Sequence, residues 1–137
     1  MVFRWQGVKM TDSEKLTINI GTVDLGRIDL LVSEGFYSSR ADFIRTAIRN
    51  QLDRQSSTVD SIKTRKSMVI GAMVYTRHDL EEKQNNHETV NIKVIGTLVL
   101  ADDITPELAL ATIESITLHG IIKAPEDVKE ALKDRFH

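Results

Sequence analysis

Cysteine is absent from this 137-residue chain, which removes disulfides, thiolate metal sites and cysteine nucleophiles at once. The lack is compatible with a reducing cytoplasm, the expected location of a soluble protein of this composition. Proline occurs twice, and both copies fall where a helix can open. No apolar run approaches the roughly 20 residues needed to span a bilayer, and the first residues lack the cationic-then-apolar layout of a secretory leader. Net charge is only −2, so no single-sign field advertises nucleic acid or membrane at the level of the whole chain. Residues 1–57 carry eight Lys and Arg against seven Asp and Glu, and residues 58–137 carry ten against thirteen. The halves are thus +1 and −3, a lean that decides little.

Catalytic constellations are missing as well. Glu81-Glu82 and Asp102-Asp103 read as solvated turn carboxylates, no glycine loop is built to cradle phosphate, and no Ser/His pair has a third partner at suitable spacing. His78, His87 and His119 are scattered singly. No enzyme, no cofactor and no metal site is expected.

What is there begins at Lys15. Lys15-Leu16-Thr17-Ile18-Asn19-Ile20 alternates, with Leu16, Ile18 and Ile20 on one face and Lys15, Thr17 and Asn19 on the other. Period two is the signature of a half-buried strand. A lone strand of this length is not stable in water, and the next strand-like run, from Met68, lies beyond two helices. The simplest partner is the same strand of a second copy. Thr22 or Asp24 can cap a first helix whose apolar stripe is Leu25, Ile28, Leu31 and Val32. Gly35 is a natural left-handed terminator, and Phe36 and Tyr37 follow, placed to plug a small core. Ser39 with Asp42 makes a near capping box, with Ser38 as an alternative cap. The second helix buries Phe43, Ile44, Ala47, Ile48 and Leu52 and turns Arg40, Arg45, Arg49 and Arg54 outward. So few large apolar groups fall short of what an independent fold needs. An obligate dimer is expected.

Strand, helix and helix in that order, with the strand completed by dimerisation, resembles the ribbon-helix-helix superfamily of DNA-binding proteins, the Arc and CopG-type regulators. The resemblance implies an α+β fold with a dimeric two-stranded ribbon over residues 15–55. It implies double-stranded DNA as partner, with the ribbon in the major groove. Carried over by position, Lys15, Thr17 and Asn19 would read base edges. Lysine can donate to guanine, asparagine can pair with adenine, and threonine can hydrogen-bond or touch a thymine methyl. Ser38, Ser39 and Arg40 would anchor phosphate at the second helix's N-terminus.

Around that segment lie three others. Residues 1–14 read as a frayed arm from which Arg4 and Lys9 could reach the DNA backbone, and Met10 is an alternative start. Residues 56–66 read as a polar linker, with some helix continuing from the preceding domain and a basic cluster at Lys63, Arg65 and Lys66. Residues 67–137 read as a small β/α domain with an internal echo. Ile92, Val94, Gly96, Leu98, Ile104 and Leu108 recur at one constant offset as Ile116, Leu118, Gly120, Ile122, Val128 and Leu132. A weaker copy, Val69-Ile70-Gly71-Ala72-Met73, precedes Val94-Ile95-Gly96-Thr97-Leu98 by nearly the same interval. Helix signals at Thr105-Pro106-Glu107 and Pro125-Glu126-Asp127 follow the later strands. Short strand-turn-helix repeats are expected, with a ferredoxin-like sensor domain as the other architecture.

The functional expectation is a sequence-specific transcriptional regulator, a repressor, whose C-terminal domain assembles dimers into a higher homo-oligomer. An antitoxin and a self-assembling structural protein are the alternatives, the first disfavoured because residues 67–137 carry strands and a core of their own.

Overall fold

The computed structural model describes residues 13–137; the expectations for Arg4, Lys9 and Met10 lie outside them. The described chain forms two compact units, Ser13–Ile62 and residues 63–137.

The first unit contains α1 (Thr22–Ser33), α2 (Arg40–Arg54) and most of α3 (Ser56–Lys66). Residues 13–21 carry no regular element, as a strand without a ladder partner must not. α1 opens at Gly21 with no side-chain cap. Thr22 is therefore its first helical residue, not its cap, and Asp24 sits in the first turn, where a carboxylate complements the helix dipole. The exit follows the Schellman pattern. The Gly35 N–H donates to the Val32 carbonyl and the Phe36 N–H to the Leu31 carbonyl, with Gly35 at φ +85°. Of the two aromatics that follow, Tyr37 does the packing, edge-on to Phe43 at 4.9 Å between ring centres. Phe36 is 72% exposed, so it plugs nothing within the single chain. α2 is capped by Ser39, whose hydroxyl accepts from the Asp42 N–H at 3.0 Å.

The segment read as a linker is helical over its whole length, separated from α2 by Gln55 alone. α3 buries no residue. Its basic cluster, Lys63, Arg65 and Lys66, falls in the last turn, where cations offset the carbonyl end of the dipole.

The second unit is built from β1 (Val69–Tyr75), α4 (Arg77–Asn85), β2 (Val90–Leu100), α5 (Pro106–Thr112), β3 (Ile113–Lys123) and α6 (Glu126–Leu132), closed by a 3-10 turn at Lys133–Arg135. The three strands lie side by side in chain order and run parallel. A ferredoxin-like unit interleaves two β-α-β halves; a sheet in chain order is a stack of repeats. The register reproduces the sequence echo. Val69 pairs with Val94 and Gly71 with Gly96, which is the offset of the weaker copy. Ile92 pairs with Ile116 and Gly96 with Gly120, which is the offset of the stronger one. Each repeat places equivalent apolar residues in one column, and Leu80, Ile92, Val94, Leu98, Ile113, Ile116, Val128 and Leu132 form a continuous buried core.

Two features depart from the sequence expectations. β3 starts at Ile113, directly after α5, three residues ahead of the expected Ile116. The first repeat also has its own helix, α4, so Glu81-Glu82 lies on a helix and not in a turn. Its signal is a capping box: the Thr76 hydroxyl accepts from the Asp79 N–H at 3.0 Å, and the Asp79 carboxylate accepts from the Thr76 N–H at 2.8 Å. His87, at φ +56°, occupies the left-handed position that ends α4, with its N–H donating to the Gln84 carbonyl and that of Glu88 to Lys83.

Gly71, Gly96 and Gly120 form a column across the sheet at φ +128°, +135° and +137°. Only glycine adopts such a backbone without strain. A Cβ on Gly96 would lie 2.1 Å from the Gly71 carbonyl oxygen, and one on Gly120 1.9 Å from that of Gly96. The close approach of successive strands therefore requires hydrogen at both positions. At Gly71 no atom of the described residues lies within 4 Å of the equivalent point, so a side chain there would be strained but unobstructed by them. Gly71→Ala should destabilise the second unit by about 1–3 kcal/mol. Gly96→Ala adds the collision and should exceed about 3 kcal/mol. Urea unfolding of the two variants side by side measures the difference, and equal losses would contradict the close approach.

Candidate nucleic-acid interface

The alternating segment is open on both faces in the single chain. Lys15, Thr17 and Asn19 are exposed, and so are two of their apolar neighbours, Leu16 at 78% and Ile18 at 59%. Leu16, Ile18 and Ile20 border a groove of about 460 Å³ together with Leu25 of α1 and Ile44 of α2, and Thr17, Asn19 and Arg40 border it too. Two of the three expected base-reading residues thus share a groove with the expected anchor Arg40, while Lys15 does not. Ile28 is the one buried apolar residue among the described residues of this unit. The stripe expected to be interior on α2 is half covered at Phe43 and Ile44 and open at Ala47, Ile48 and Leu52.

The three residues expected to anchor phosphate, Ser38, Ser39 and Arg40, are already engaged within the chain. Arg40 grips Asp29 of α1 with two charge-assisted bonds, Nε to Oδ1 at 2.7 Å and the terminal nitrogen to Oδ2 at 2.8 Å. This fork-to-fork pairing is the strong form of such a contact. Hydrogen bonding to Arg40 lowers the Asp29 pKa below the usual carboxylate range, and the same bond raises that of Arg40. Ser38 spends both its N–H and its hydroxyl on the Asp42 carboxylate, at 2.9 and 3.2 Å. Ser39 is the cap. The first turn of α2 therefore holds an internal anion, Asp42, next to the position where a phosphate would sit.

A phosphate approaching this end would meet N–H groups of the first turn, an arginine held by a carboxylate, and the Asp42 charge. Binding there means exchanging Asp29 for phosphate at Arg40. Sequence reading identified Asp42 as part of the cap but missed Asp29, because the pair with Arg40 closes across the Gly35 turn and no local spacing marks it. A second, smaller notch of about 240 Å³ in the other unit is lined by Lys66, Met68, Lys93 and Thr117; Lys93 and Thr117 are register partners on β2 and β3. No group of three His, Asp or Glu residues suited to a metal occurs among the described residues. No helix among them is long and apolar enough to cross a membrane.

Removing the α2 cap tests the local geometry. Ser39→Ala should cost about 1 kcal/mol of stability, read in thermal unfolding by circular dichroism. Ser38→Ala, which leaves the backbone bond to Asp42 in place, should cost less.

The model of the Ribbon-Helix-Helix transcriptional regulator family matches residues 11–129. No curated protein and no solved structure gives a match.

Proposed function

The chain belongs to the Ribbon-Helix-Helix transcriptional regulator family, and on that basis we propose that it is a homodimeric, sequence-specific DNA-binding repressor. The observation that supports this most is the uncovered segment Lys15–Ile20, whose apolar residues Leu16 and Ile18 stand exposed, as do Ile48 and Leu52 of α2. Exposed apolar groups at strand spacing and at helix spacing in one small unit fit a core completed by a second chain. Two such segments paired antiparallel would turn Lys15, Thr17 and Asn19 to one side, toward base edges in the major groove. The second unit, with a core of its own, would set how dimers assemble; that same core distinguishes it from an antitoxin tail that orders on binding.

Within this reading Asn19 specifies and Arg40 positions. Asn19→Ala should change which operator is preferred, with a discrimination loss of about 1–3 kcal/mol at the base it reads. Titration of the variant against the chain's own promoter region and against single-base variants of it checks this; unchanged preference would remove Asn19 from the reading set. Asp29→Asn probes the anchor. It leaves Arg40 without its carboxylate, so affinity should rise for all sequences and the salt dependence should steepen by about one phosphate contact. Arg40→Ala should do the opposite. Binding measured across a salt series reads both, and identical slopes in all three proteins would take Arg40 off the DNA. The proposal as a whole fails if the native protein shows no specific shift on its promoter region and light scattering shows large polymers instead.

A further inference from the structure

The repeat stack has two ends, and they differ. At the β3 end the chain pairs with its own sheet at one position: Phe136 bridges to Ile116, and the His137 N–H donates to the Ile116 carbonyl at 2.8 Å. β3 also carries His119 and Lys123. At the other end β1, Val-Ile-Gly-Ala-Met-Val-Tyr, contains neither a charged residue nor a proline. Val69 is 44% and Ile70 48% exposed, and Gly71 and Ala72 are exposed beside them. Soluble proteins normally guard a sheet edge with charge, proline, a bulge or a covering segment, and end repeats normally carry a polar cap. β1 has none of these devices among the described residues.

Gly71 adds a second, independent sign. In the two inner strands, the point where a Cβ would stand is filled by the carbonyl of the preceding strand, which is why Gly96 and Gly120 must be glycines. Gly71 has the same left-handed backbone, φ +128°, yet no atom of the described residues lies within 4 Å of its equivalent point. Among the described residues the edge therefore leaves room at Gly71 for the close approach that the inner strands make.

We propose that the free edge of β1 pairs with β1 of a second copy of this chain about a two-fold axis, joining two three-stranded sheets into one. Three considerations select that occupant. A two-fold contact pairs the two β1 strands antiparallel and sets residues of β1 opposite other residues of the same strand, so an uncharged strand brings no like charges together where a charged one would. The pairing extends the β3–β2–β1 ladder by backbone hydrogen bonds across the new junction. Head-to-tail stacking, the route to an open fibre, would need the β3 edge, and Phe136 and His137 occupy it at Ile116. The contact is therefore closed: it joins two copies and stops.

The test uses full-length chains. The native sequence has no cysteine, so Ile70→Cys places one thiol on β1 and a short bis-maleimide can link only like positions on two copies. A covalent dimer is expected for Ile70→Cys and not for His119→Cys on β3; equal, background-level linking in both overturns the proposal. Light scattering supplies the second arm. With Ile18→Lys to disrupt association through the first unit, the mass should remain that of two chains, and adding Ile70→Lys should halve it, with the second unit's helical signal retained in circular dichroism. A one-chain mass for Ile18→Lys alone overturns the edge pairing, as does a mass that keeps growing with concentration. A one-chain mass for Ile70→Lys alone would instead overturn the shared core of the first unit and leave the β1 contact standing.

Discussion

Everything in the first unit depends on a shortage of interior. Its helices are properly started and stopped, yet Ile28 is the one apolar residue among the described residues 13–62 that is buried. Burying a Leu or Ile side chain is worth roughly 1.5–3 kcal/mol, and Leu16, Ile18, Ile48 and Leu52 forgo a large share of that gain in the single chain. Ordering each residue costs roughly 1–2 kcal/mol in backbone entropy. Caps and an exposed ion pair cannot offset that sum. A unit so composed can gain its interior from a second copy, and membership of the Ribbon-Helix-Helix transcriptional regulator family names a kind of protein that usually dimerises. The same sharing would deliver the polar side of Lys15–Ile20 as one outward row, so dimerisation and base reading become a single structural event.

The second unit solves its stability problem by repetition. A strand-turn-helix segment exposes its apolar face, and stacking the next copy on it buries that face. A near-constant repeat length keeps each apolar column in register. The glycine column shows how tight the stacking is, since two of its members admit no side chain at all. Interior capacity thus comes from within the chain, and Leu80, Ile92, Val94, Leu98, Ile116 and Leu132 are fully covered without any partner.

What could be read in advance follows from how local each signal is. The β2 boundaries, Val90–Leu100, and the offsets of the echo were legible because apolar spacing along a strand is fixed by the pleat. The Gly35 terminator and the Ser39 cap were legible because both act within a turn. α4 escaped notice despite a complete capping box, because Arg77–Asn85 has a single buried residue, Leu80, and so little apolar period. The roles of Phe36 and Tyr37 were not separable, since which ring meets Phe43 depends on the path of the turn. The Arg40–Asp29 pair was invisible for a related reason: eleven positions and a reversal of direction separate the partners. For the candidate interface, residue chemistry was legible and prior engagement was not.

That engagement changes what the anchor can be. An arginine held by a carboxylate is pre-oriented but not free, so phosphate would have to replace Asp29 instead of merely adding to it. In water such an exposed pair is worth little, and a phosphate group competes well for a guanidinium fork. The exchange therefore costs little when the whole surface is aligned on DNA by the paired segments, and offers little when a lone phosphate arrives by itself. Asp42 pushes in the same direction, since its charge sits beside the site whether or not Arg40 is released. On the proposed reading, an anchor discounted in this way would contribute least to indiscriminate binding and would leave the discrimination to the residues proposed to meet base edges.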